Sequence, residues 1–144
     1  MGLNAVVYKN RSHLAFDPDS VGAKVDPRTG EFYLKDNGVH EFGQDAAVAL
    51  GKRLGNMDAI ALLSDAIGQA LGTPESLLQK KILFSGTHSG DVIDLAEFDR
   101  LRGEIARVRR STIFSQVPGL VEFIQSIDDL VRVASSEENP IVFV

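Results

Sequence analysis

The sequence predicts one α+β domain over residues 1–144: a mixed or antiparallel sheet with an N-terminal hairpin and a C-terminal strand, packed by roughly four helices. Three observations predict it. Strand-like runs dominate the first 35 residues, helical periodicity fills the middle, and short apolar runs recur at Ile82 and Ile141. Pro27-Arg28-Thr29-Gly30 carries strong hairpin-turn chemistry, Pro presetting φ and Gly supplying a positive φ. A regular βαβαβ alternation is missing, which argues against a doubly wound nucleotide-binding fold.

Leu3–Tyr8 is short and β-rich, a first strand. The stretch from Asn10 to Ser20 holds Asn, Ser, Asp and Pro and reads as loop, with a brief strand at Leu14–Phe16 as one form of it. Ala23–Asp26 and Glu31–Leu34 flank the Pro27–Gly30 turn, and Asp36-Asn37-Gly38 closes the hairpin with another turn signal. Asp45 is placed to cap a helix with Ala46, Ala47, Leu50 and Leu54 on one face. Gly55-Asn56 interrupts it, and Met57–Leu71 resumes with Ile60, Leu63, Ile67 and Leu71, as two helices or one kinked at Gly55.

Gly72 ends that helix, and Thr73-Pro74-Glu75-Ser76 opens a short helical turn. Ile82–Ser85 is expected to be a buried strand with Val92 and Ile93 as hairpin partner. Asp94 at a cap position, with Glu97 three residues on, starts a helix whose stripe is Phe98, Leu101, Ile105 and Val108. Pro118 opens the last helix, with Leu120, Ile124, Ile127, Val131 and Ala134 as its stripe. Pro140–Val144 is strand-like and expected inside the sheet, because an exposed edge so apolar invites aggregation.

Composition narrows the function. With 44% hydrophobic and 24% charged residues the chain is ordinary globular material. It contains no cysteine, which removes thiolate catalysis, disulfides and Cys-ligated metals. The Met1–Tyr8 run lacks a basic n-region, breaks at Lys9-Asn10-Arg11 and is too short for a signal-peptide core, no segment has the apolar length to cross a bilayer, and a cytoplasmic location is expected. A net charge of −5 disfavours nucleic acid.

The densest polar chemistry lies in Ser85-Gly86-Thr87-His88-Ser89-Gly90-Asp91, so Ser85, Thr87, His88, Ser89 and Asp91 are the candidate binding residues. Glycine-containing loops can hold an anion through backbone N–H groups, and a carboxylate such as Asp91 can orient an imidazole such as His88. Yet a phosphate loop needs glycine at Gly86 plus five followed by lysine, and a nucleophile elbow at Ser89 needs glycine where Thr87 stands. No catalytic residue is therefore assigned. A tight turn whose Ser, Thr and Asp satisfy their own backbone is the simpler account.

His13, His40 and His88 share no metal-ligand spacing, and Asp17-Pro18-Asp19 fails the calcium-loop pattern at Val21 and Arg28; no metal or cofactor is expected. Arg100, Arg102, Arg107, Arg109 and Arg110 have local carboxylates and a helix C-terminus to account for them. The acidic positions Asp17, Asp19, Asp128, Asp129, Glu137 and Glu138 are solubilising charge, or a surface that mimics nucleic acid or docks a basic partner.

The MGL start, the block ILFSGTHSGDVIDLAEFDRLRGEI and the closing ENPIVFV together resemble a group of small bacterial cytoplasmic proteins of unassigned function, some similar to predicted immunity proteins of polymorphic toxin systems. The resemblance implies a non-enzymatic protein that binds a protein partner, a cognate toxin in the toxin–antitoxin manner, by surface complementarity. The alternatives are a small enzyme or ligand-binding domain using the Ser85–Asp91 loop, and a homodimer of structural role. No nucleic acid and no membrane enters any of these.

Overall fold

The structure, a computed structural model, describes residues 2–20, 22–34, 47–84, 88 and 90–144. It is one α+β domain. Strands β1 (Gly2–Tyr8), β4 (Val48–Asn56), β5 (Val92–Ile93) and β6 (Ile141–Phe143) form an antiparallel sheet in the order β4-β1-β6-β5. Strands β2 (Ala23–Val25) and β3 (Phe32–Leu34) make a separate antiparallel hairpin. Helices α1 (Met57–Leu71), α2 (Phe98–Arg110) and α3 (Leu120–Glu137) pack on the sheet and on one another.

Alternation along β1 decides which face the helices cover. Leu3, Ala5 and Val7 are buried in the main core, while Asn4, Val6 and Tyr8 turn to the other face. The expected helix stripes are buried as read from the sequence: Ile60, Leu63, Ile67 and Leu71 on α1; Phe98, Leu101, Ile105 and Val108 on α2; Leu120, Ile124, Ile127, Val131 and Ala134 on α3. Capping follows the local chemistry. Asn56 Oδ1 accepts the Ala59 N–H at 2.9 Å, and Gly72 closes α1 at φ 66°. Asp94 and Glu97 form the capping box predicted there, with Glu97 accepting the Asp94 N–H at 3.2 Å. The last strand lies between β1 and β5, as its composition required.

Two elements differ from expectation. The helix read from Ala46, Ala47, Leu50 and Leu54 is instead strand β4 from Val48 on, with Ala47 in a turn before it and Asp45 and Ala46 outside the described residues. Its pairing with β1 skips Ala49 and Leu54, so two bulges break the period-two alternation and leave apolar residues at helix-like spacing. Gly51 and Gly55 each weaken a helix by about 1 kcal/mol, and β1 supplies the pairing that decides the matter. Lys52 crosses to Asp129 on α3 at 3.2 Å, where hydrogen bonding from Gln125, then from Lys52 and Arg132, holds the Asp129 carboxyl below its ordinary value.

Where a strand is expected at Ile82–Ser85, Ile82 ends a π-helical turn spanning Leu78–Ile82, with the Leu83 N–H on Leu78 O at 2.9 Å, and Leu83 and Phe84 follow as a bend. Val92 and Ile93 pair with Val142 and Ile141 rather than with this segment. Glu104 is the reason the turn forms. It is buried in α2, and its two carboxylate oxygens accept the Leu77 and Leu78 N–H groups at 3.1 Å each, with Arg100 Nε at 3.3 Å. A short apolar run alone does not distinguish strand from helix, and the capping group lies 26 residues away from Leu78. The turn expected from Pro74 starts at Leu77–Leu78, and α3 starts at Leu120, after Gly119 at φ 81°.

Candidate binding cleft

The polar loop resolves into a packing role where it is described. Ser85, Thr87 and Ser89 lie outside the described residues; His88 and Asp91 lie within them. His88 Nε2 donates to Phe84 O at 3.0 Å, and the ring sits 3.9 Å from the Phe84 ring centroid and 5.7 Å from that of Phe143. With the proton on Nε2, Nδ1 is a buried acceptor with no partner among the described residues. Asp91 meets His88 through the backbone, its N–H donating to His88 O at 2.8 Å, so the imidazole turns to Phe84 and not to the carboxylate. The loop then joins the sheet: the Gly90 N–H reaches Phe143 O, and the Phe143 N–H reaches Asp91 O, both at 2.9 Å.

Several of the other sequence candidates have structural partners. Arg100 and Arg107 donate to the carbonyls of Glu75 and Leu71, at 2.9 and 2.8 Å, and Arg109 reaches Asp128 at 3.1 Å. These arginines tie α2 to its neighbours. His13 and the Asn10 backbone N–H share the Glu137 carboxylate at 2.6 Å each, which fastens the segment after β1 to the end of α3. Asp17 caps its own turn through the Asp19 N–H, and Asp19 pairs with Arg11. Among the described residues no group of three His, Cys, Asp or Glu converges for a metal, and no described helix is long and apolar enough to cross a membrane.

A cleft of about 450 Å³ opens where sequence reasoning did not look, on the sheet face away from the helices. Its floor is apolar: Val6 of β1, Val48 of β4, Val142 of β6, with Phe143 and Val144 beside them. Its wall is the hairpin turn, which contributes Asp26, Arg28, Thr29 and Glu31. Tyr8 stands at the junction. Burial, and then the nearby Glu31 carboxylate, push its phenol above the ordinary value.

Three contacts hold the wall in place. Asp26 Oδ1 accepts the Arg28 N–H at 2.8 Å and shapes the turn. The Arg28 side chain donates to Gly90 O at 2.7 Å, across to the loop before β5. Gly30, at φ 80°, lies against the Asn139 carboxamide, whose Nδ2 donates to Tyr8 O at 2.8 Å. The predicted hairpin thus serves as a strap over the sheet. One sequence signal pointed here: β1 is apolar at Val6 as well as at Ala5 and Val7, which a sheet with one solvated face does not need.

A second, shallower cleft of about 400 Å³ lies between the starts of α1 and α3, with Arg53 and Glu122 among its lining. Comparison of the chain with protein-family models, with curated proteins and with solved structures returned no match.

Proposed function

We propose that the chain is a non-enzymatic recognition protein that seats a segment of a partner protein in the cleft between the sheet face away from the helices and the Pro27–Gly30 turn. The observation that carries it is the make-up of that cleft: an apolar floor of Val6, Val48 and Val142 beneath a wall of charged groups. Apolar area with a few placed polar groups is the composition of a binding site. The partner's side chains supply burial on the floor, and the wall sets orientation. Neutralisation of a cognate toxin is the specific form of such binding implied by the sequence resemblance, and a toxin encoded beside this gene is its test.

Selection of randomised peptides displayed on phage tests the cleft itself. Enriched peptides are expected to lose binding to a Val48→Asp variant whose circular dichroism matches the parent. Binders indifferent to Val48→Asp would place recognition elsewhere on the molecule.

A further inference from the structure

The Glu31 carboxylate makes no hydrogen bond and no ion pair among the described residues, although Thr29 fixes its backbone by accepting the Glu31 N–H at 3.1 Å. Three other buried or partly buried carboxylates in the fold hold a cation: Glu97 holds Lys81, Glu104 holds Arg100, and Asp129 holds Lys52. Within the cleft, Asp26 is occupied by the Arg28 N–H, and the Arg28 guanidinium is drawn aside to Gly90 O. The wall therefore carries two carboxylates to one guanidinium, and Glu31 is the group left facing the space. It is close enough to Tyr8 to act on the phenol.

We propose that the cleft receives a basic side chain of the partner, a lysine or arginine, with its cation at Glu31 and its hydrocarbon stem along Val6, Val48 and Val142. This rests on the cleft's being the recognition surface. The chemistry selects against simpler occupants. Among the described residues no three His, Cys, Asp or Glu converge for a bare metal ion, and a small amine without a stem leaves the apolar floor unfilled. A basic side chain satisfies both parts, because its methylenes bury on apolar surface while the charged head stays with its partner. The Tyr8 ring at the junction adds a face for the cation. The net charge of −5 steers a basic partner toward the protein before contact.

The test is a titration of the full chain, followed by ¹H–¹⁵N correlation spectra, with three peptides: acetyl-Val-Lys-Val-amide and its analogues with norleucine or glutamate in place of lysine. The lysine peptide should shift the amides of Val6, Glu31, Val48 and Val142, with an affinity about 5-fold or more above that of the norleucine peptide, as a charge-assisted hydrogen bond requires. Equal binding of the norleucine peptide at the same amides overturns the basic side chain and leaves the cleft as the recognition surface. Strongest binding of the glutamate peptide, lost in Arg28→Gln, overturns it in favour of an acidic partner segment. If no peptide shifts these amides and display-selected binders also ignore Val48→Asp, the proposal and the cleft fall together.

Discussion

Gly30 presses against Asn139 so closely that a β-carbon on the glycine would stand 2.6 Å from Asn139 Oδ1. The same carboxamide donates to Tyr8 O, so one side chain joins the end of α3, the end of β1 and the strap over the cleft. Gly30→Ala meets this contact and a positive φ of 80° together. It should cost about 1–3 kcal/mol in chemical denaturation. Asn139→Ala removes the steric part, so the double variant should lose less than the sum of the single losses. Strict additivity would show that the two residues do not act as a unit.

Glu104 makes the π-helical turn depend on α2. Glu104→Ala leaves the Leu77 and Leu78 N–H groups without their acceptors and should destabilise the fold by about 2–4 kcal/mol. Glu104→Gln keeps one acceptor oxygen and should cost about 1 kcal/mol. Equal losses for the two variants, measured by urea unfolding, would contradict a capping role.

Tyr8 gives the cleft a pH signature. Burial, and then Glu31, raise its pKa in the folded state, so the folded chain holds the phenolic proton more tightly than the unfolded chain does. The resulting stability is fully present below pH 10 and is lost as pH rises from there through the folded pKa. Ultraviolet titration of a Tyr33→Phe chain isolates the Tyr8 phenol; Glu31→Gln should lower its midpoint but leave it above 10, because burial is the larger cause. A midpoint unmoved by Glu31→Gln would separate the two residues.

His88 illustrates how a chemically rich motif can resolve into packing. His88→Phe keeps a ring between Phe84 and Phe143 and should cost no more than about 1.5 kcal/mol, as a volume-conserving swap does, while His88→Ala should cost more. Thermal unfolding of the two variants checks the order.

Local chemistry explains which parts of the fold were legible. The Pro27–Gly30 turn, the α2 and α3 stripes and the Gly72 cap depend on residues within a few positions of one another, and each was readable. Strand β4 and the π-helical turn depend on distant partners. Two bulges against β1 disguise one, and a carboxylate from α2 caps the other. The cleft is not legible in the sequence for the same reason: Tyr8, Glu31, Val48 and Val142 are brought together by pairing and by the strap, and no local motif marks them. The Ser85–Asp91 loop is rich in polar groups by composition, yet its described His88 bonds to a backbone carbonyl.

The most direct measurement is a cycle of four affinities: the parent chain and Glu31→Gln, each with the lysine and the norleucine peptide. Glu31→Gln should weaken the lysine peptide about 5-fold and leave the norleucine peptide unchanged, since the carboxylate acts only on the cation. An equal change for both peptides, or none for either, would contradict a cleft that recognises a basic side chain through Glu31.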